Sequence, residues 1–198
     1  MTGLFLNMTK RYFILIACLL LFIAAVSVAI LSFEFTEESV RVLIRWSAKI
    51  SVSLFSLAFM SSALNALIKT DMTKLILRWR PQLGLSFTVF HTAHLFFLLL
   101  LQSCFHPVFT LAKTSSLIGG GMAYVFMYLM AVTTFPSFKN RLTVRQWSIL
   151  HTVGSYWIWL IFFRSYLKNV MFRGEEYVLF ALISLAIIFR FLFMIKKR

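Results

Sequence analysis

The sequence is short of charge, and above all of acidic charge. Of its 198 residues 13% are charged and 61% are hydrophobic, with 6 Asp or Glu against 20 Lys or Arg. A soluble domain needs a polar surface, so this composition excludes one. The formal net charge of +14 does not require nucleic acid, because membrane insertion leaves basic residues flanking apolar runs on the cytoplasmic side. We predict an integral membrane protein with the lipid bilayer as a partner and no nucleic-acid partner.

Proline, glycine and cysteine are also few. Three Pro and seven Gly leave no room for a low-complexity linker, and no repeat of fixed period is visible. Residues 1–198 are therefore predicted to form a single domain. Cys18 and Cys104 lie in apolar segments without CxxC or metal-ligand spacing, and we interpret them as buried thiols without a function.

The sequence lacks the motifs of several kinds of functional site. It contains no Walker loop, no GxGxxG after a strand and no Ser-His-acid set with a buried acid. No predicted membrane span contains a carboxylate, so a proton-coupled transporter would lack its usual relay group. Hydrolase and ordinary pump functions are therefore the first to be excluded.

Long apolar runs dominate what remains. A bilayer core about 30 Å thick needs roughly 20 apolar residues per helix. Six such runs lie near 12–33, 43–68, 82–104, 115–135, 147–168 and 177–195. The first is longer than a usual secretory signal and is interpreted as a retained helix. The sequence thus predicts an all-α protein with a six-transmembrane-helix bundle.

The distribution of charge predicts how this bundle is oriented. Most of the 20 basic residues lie in the N-terminal segment, the second and fourth loops and the C-terminal end from Arg190. Acidic residues cluster on the opposite side, at 34–38 and 175–176. By the positive-inside rule both termini are expected to be cytoplasmic, with 34–42 and 169–176 outside and 136–146 inside.

Four polar side chains within the spans are candidate functional residues. His91 and His94 lie three positions apart in the third run, while His151 begins the fifth and Arg164 lies near its outer end. An ionisable group in a span is a functional candidate facing the bundle interior. The alternatives are histidines that only pair with a Ser, a Thr or a carbonyl, and an arginine that snorkels outward.

Imidazoles from two helices are what axial ligation of haem iron between helices requires. Glycines near the histidines would leave room for a flat macrocycle, although close helix packing is their commoner use. These glycines are Gly84, Gly154 and the run 119–121.

Two segments carry a resemblance to a known family. They read "LILRWRPQLGLSFTVFHTAHL" and "LMAVTTFPSFKNRLTVRQWSILHTVGSYW". Their order and spacing resemble the ferric-reductase-like transmembrane domain family, in particular its MsrQ-type haem-binding subunits that feed electrons to a periplasmic methionine sulfoxide reductase. The resemblance covers most of the second to sixth runs.

This resemblance implies a bundle with b-type haem that passes electrons from a cytoplasmic flavin or quinol to an outside acceptor or partner reductase. It also implies a bacterial inner (plasma) membrane protein. His94 and His151 correspond to family histidines and are the expected axial ligands of the haem iron. The family's second histidine of the fifth helix is replaced by Arg164.

Three outcomes follow from that replacement. His94 could hold a haem with another sixth ligand or none, while the Arg164 guanidinium pairs with the propionates. A haem could instead lie between His151 and a third-helix group such as His91. The chain could also be a haem-free structural or interaction protein. Because no flavin or nicotinamide domain follows the sixth run, we expect at most the membrane redox subunit of an oxidoreductase system.

Overall fold

The computed structural model describes residues 36–106, 111–173 and 176–197, which form helices and turns without a strand. The helices are α1 (Glu37–Ile68), α2 (Asp71–Arg78), α3 (Arg80–Phe105), α4 (Leu111–Val132), α5 (Pro136–Lys139), α6 (Val144–Arg173) and α7 (Tyr177–Lys197). The all-α prediction is therefore confirmed over these ranges. The predicted span near 12–33 lies outside the described residues.

Hydroxyl side chains fix the start of three helices. Thr36 Oγ1 accepts from the Ser39 backbone N–H, and Ser39 Oγ accepts from that of Thr36. The same reciprocal bonding joins Thr70 with Thr73 and Thr143 with Gln146. Each pair satisfies backbone donors that the first turn leaves without an intrahelical partner. Helix α1 consequently begins several residues before the apolar run from 43.

Within the described residues, three helices are long and apolar enough to cross a membrane: α1, α3 and residues 177–196 of α7. The chain is therefore a membrane protein. The apolar part of α4, Ile118–Val132, is shorter, and α6 interrupts its apolar residues with His151, Arg164 and Lys168. The crossings predicted for α4 and α6 stay predictions, as does the orientation of the termini.

The chain divides into two compact units, within which we describe contacts separately. The first contains residues up to Ala58 and Arg78–Pro107, so that the first part of α1 packs against α3. The contacts run in opposite directions along the two helices: Ser47 meets His94, Ser51 meets His91, and Phe55 meets Phe87. These two helices are therefore antiparallel. The prediction of a single domain stays a prediction.

The second unit contains Phe59–Leu77 and the chain from Val108 onward. Here α6 packs against both α4 and α7. The Trp157 indole N–H donates to the Gly119 carbonyl of α4, and the Trp159 indole N–H donates to the Ile183 carbonyl of α7. Two tryptophans on α6 thus bond carbonyl oxygens of the two helices beside it.

The prediction that Cys104 is buried is wrong, whereas its lack of a function stays a prediction. Its thiol is free and exposed, because burial along α3 ends at Leu101, before Cys104 is reached. Cys18 lies outside the described residues.

Candidate functional site

The imidazole of His94 is held by the backbone of α1 in the first unit. His94 Nδ1 lies 3.0 Å from the Ile44 carbonyl oxygen and 3.4 Å from Ser47 Oγ. Ser47 Oγ donates its own proton to the same carbonyl, at 3.0 Å. Both neighbours of Nδ1 are therefore acceptors, so in the neutral ring Nδ1 carries the proton. The lone pair of the ring is on Nε2.

This is the tautomer that a metal-ligating histidine uses. Such histidines usually donate one ring N–H to a carbonyl or a carboxylate, which fixes the ring and makes the other nitrogen more basic. The Ile44 carbonyl supplies that contact for His94. The hydrogen bond at Nδ1 of His94 is the one expected of an axial haem ligand that coordinates through Nε2.

His91 is bonded in the same way one turn earlier. Its Nδ1 lies 3.2 Å from Ser51 Oγ, and Ser51 Oγ donates to the Ala48 carbonyl at 2.9 Å. The rings of His91 and His94 stack with centroids 5.4 Å apart and planes 10° apart. Helix α3 therefore presents two parallel imidazoles, both anchored to α1 through Nδ1.

The interface of α1 and α3 also contains polar atoms without a partner. Among the described residues, Ser56 Oγ and Ser86 Oγ are buried and make no hydrogen bond. Ser56 follows Phe55, and Ser86 precedes the Phe87 ring that contacts Phe55. Two buried hydroxyls thus lie at one level of this helix pair, where they could accept a water or a polar group.

His151 has a different environment in the second unit. Its Nε2 lies 3.1 Å from Thr133 Oγ1, which donates to the Leu129 carbonyl at 2.7 Å. The His151 ring stacks on Trp147 at 4.1 Å between centroids. The ammonium of Lys139 lies 5.2 Å from the centroid of the Trp147 ring. The Trp147 indole N–H donates to the Thr133 carbonyl at 3.2 Å.

The Nε2 of His151 is thus bonded to Thr133 Oγ1. A threonine hydroxyl can donate or accept, so this bond is compatible with either tautomer of the ring. Haem ligation by His151 through Nε2 would require the ring to release Thr133. The predicted role of His151 as an axial ligand stays a prediction, and its observed contacts are those of a hydrogen-bonded histidine between packed helices.

Space beside the glycines differs from one position to another. A methyl group on Gly154 would meet Met130 Sδ at 2.7 Å and Phe126 Cβ at 3.2 Å. Gly154 therefore serves close packing of α6 on α4. At Gly84, Gly120 and Gly121 the same methyl group would meet no atom within 4 Å. Of the glycines in the described ranges, these three have open space beside them.

Arg164 lies on the exposed side of α6. Within the described ranges its guanidinium makes no ion pair, hydrogen bond or ring contact. The Arg164 side chain is thus exposed, as expected for an arginine that snorkels to the membrane surface. Its predicted pairing with haem propionates stays a prediction.

Arg190 is a polar residue of the second unit that the sequence assigned to the basic C-terminal end. In the structure its Nη1 donates to Ser62 Oγ, and its guanidinium lies over the rings of Phe59 and Tyr156. The signal in the sequence is a single arginine inside the apolar stretch "AIIFRFLF". Such a position marks a candidate site by the rule that pointed to Arg164.

Protein-family models and curated proteins give no match to this sequence. The resemblance to the ferric-reductase-like family therefore rests on the two quoted segments. Across the described ranges, no three His, Cys, Asp or Glu side chains converge on one metal position. A haem iron needs only one or two protein ligands, so its ligation does not depend on such a cluster.

Proposed function

We propose that the chain is a membrane electron-transfer subunit that holds b-type haem through His94. The observation that carries this proposal is the bond between His94 Nδ1 and the Ile44 carbonyl. It fixes the imidazole plane and leaves Nε2 as the nitrogen with a lone pair. The resemblance to the ferric-reductase-like family supports the same residue.

The residues around His94 have defined tasks in this proposal. Ile44 orients the ring through its carbonyl, and Ser47 adds a longer contact to the same nitrogen. Open space at Gly84 leaves room on α3. When bound, a b-type haem supplies one-electron redox chemistry, and the protein contributes axial ligation and burial. His151 remains the second proposed ligand, and His91 and Arg164 remain the further candidates for contact with the cofactor.

The proposal includes six spans with both termini in the cytoplasm of a bacterium. Two ion pairs, Arg41 with Glu37 and Arg45 with Glu38, balance the charge at the start of α1. The segment between α4 and α6 is basic and contains no acidic residue. This contrast favours an outer location for the start of α1. Reporter fusions after Phe138 and Glu176 test it, and an externally active reporter at Phe138 would overturn the orientation.

A cytoplasmic flavin or quinol would be the electron donor and an external reductase the acceptor. These assignments follow from the family resemblance alone. Reduction of the purified protein by a reduced flavin or a quinol, followed by visible absorption, distinguishes the two donors.

The absorption spectrum of the detergent-purified protein, before and after dithionite, tests haem binding. We expect a b-type spectrum for the wild type and at least a ten-fold lower haem-to-protein ratio for His94→Ala. His106→Gln is the matched control, because His106 is exposed at the end of the same helix. Equal haem content in all three proteins would exclude His94 as the main ligand.

A haem-free structural or interaction protein is the second candidate function. The observation that favours it is the bonding of His151, whose Nε2 is hydrogen-bonded with Thr133 Oγ1 and whose ring stacks on Trp147. Neither contact needs a cofactor. A colourless preparation after expression with added haem would support this function and contradict the first.

A further inference from the structure

Arg190 places a permanent positive charge within the apolar part of α7. The guanidinium stays protonated at any ordinary pH. It is partly buried, with its carbon centre 4.9 Å from the centroid of Phe59 and 5.4 Å from that of Tyr156. These two rings meet edge to face at 5.4 Å. Residues from α1, α6 and α7 of the second unit thus surround one cation.

No carboxylate of the described residues compensates this charge. Each of their four acidic side chains has its partner elsewhere: Glu37 with Arg41, Glu38 with Arg45, Asp71 with Lys74, and Glu176 with Asn169. A guanidinium removed from water without an anion is costly. Ring faces offset only part of that cost.

The donors of Arg190 are also underused. A guanidinium has five N–H groups, and the bond described is from Nη1 to Ser62 Oγ at 3.3 Å. The remaining donors have no acceptor among the described residues. The N–H groups of the planar guanidinium can bind two oxygens of a phosphate through two parallel hydrogen bonds. The Ser62 hydroxyl lies beside them as a further contact.

The position of Arg190 in the helix indicates where an anion would come from. Arg190 lies roughly 10 Å along α7 from its basic C-terminal end, at 1.5 Å per residue. One turn beyond, Met194 accepts from the Tyr156 hydroxyl and is 51% exposed. The site is therefore next to the surface that faces lipid. Arginine side chains at such depth reach toward the headgroup region.

We propose that Arg190 and Ser62 bind the phosphate of an anionic phospholipid, with Phe59 and Tyr156 holding the guanidinium between them. The lipid supplies the charge that the chain lacks at this position. Its phosphate bridges α7 to the end of α1, so lipid binding stabilises the second unit. This inference is independent of haem.

Native mass spectrometry of the full chain in detergent tests the proposal with phosphatidylglycerol and phosphatidylcholine as probes. The wild type should retain phosphatidylglycerol at least five-fold better than phosphatidylcholine. Arg190→Gln should lose this preference. Arg145→Gln is the matched control, because it removes an exposed arginine without a protein contact in the described ranges, and it should retain the preference.

Ser62→Ala is a second test of the site if Arg190→Gln does not fold, because this variant keeps the arginine and both aromatic rings. Retention of phosphatidylglycerol should fall two- to three-fold in this variant. Inorganic phosphate at the same concentration should neither displace the lipid nor raise Tm, which separates a lipid headgroup from free phosphate. Equal retention of the two lipids by the wild type, or unchanged retention in Arg190→Gln and Ser62→Ala, would overturn the proposal.

Discussion

His94 and His151 lie in different units and are bonded through opposite ring nitrogens. His94 uses Nδ1 toward a backbone carbonyl, whereas His151 uses Nε2 toward a threonine hydroxyl. A carbonyl only accepts, so the bond to Ile44 places the proton of His94 on Nδ1, whereas a threonine hydroxyl can donate or accept. His94 therefore has its lone pair on Nε2, while Nε2 of His151 is already bonded to Thr133. Two histidines that look equivalent in sequence thus differ in which ring nitrogen is bonded.

The largest expected effect of this difference is on haem content. His94→Ala should lower the haem-to-protein ratio at least ten-fold, whereas His151→Ala should lower it less than two-fold. The reason is that only His94 has its Nε2 ready for ligation without breaking a bond. Pyridine haemochrome assays on equal amounts of purified protein give the ratio. The opposite ranking of the two variants would show that His151 is the stronger ligand.

Helix packing provides the next sharpest contrast. Gly154→Ala places a methyl group against Met130 Sδ and Phe126 Cβ, and we expect it to destabilise the second unit by about 1–3 kcal/mol through overpacking. Gly84→Ala is the control in the first unit, where the methyl group meets open space. It should be neutral or stabilise α3 by up to about 1 kcal/mol.

Thermal unfolding in detergent compares the two glycine variants. A Tm for Gly154→Ala at or above that of Gly84→Ala would show that Met130 and Phe126 move aside without loss of stability. The contrast in packing between the units would then be smaller than the distances suggest.

The smallest expected effects concern the serines that hold the two imidazoles of α3. Ser51→Ala removes the partner of His91 Nδ1 and should cost about 0.5–1.5 kcal/mol, the net contribution of one hydrogen bond. Ser47→Ala should cost less than about 1 kcal/mol, because His94 keeps its bond to the Ile44 carbonyl. Denaturation in detergent measures both, and equal losses would argue against the carbonyl as the main anchor.

The length of the apolar runs predicted the long helices well, because such a run can be recognised without knowing which segments pack against it. The predicted runs 43–68, 82–104 and 177–195 correspond to α1, α3 and α7. Their ends were less accurate, since hydroxyl caps such as Thr36 with Ser39 extend a helix into polar sequence. The short helices α2 and α5 were missed because each lies in a polar connection between apolar runs.

The candidate histidines were identified by their position within apolar segments, but their bonding was not. The partners of His91 and His94 come from a helix 40 to 50 residues earlier in the chain. Which nitrogen binds depends on the rotation of α1 about its axis, and local sequence does not encode that. Arg190 shows the same limit, since its neighbours Phe59 and Ser62 are far away in sequence.

The bonds around Thr133 also bear on the order in which the protein assembles. They join residues only 14 and 18 positions apart, whereas the bonds of His94 span 47 and 50. Closing the shorter loops costs about 1 kcal/mol less conformational entropy. We therefore expect the contacts between α4 and α6 to form first, with the anchoring of His94 to α1 as a later and slower step.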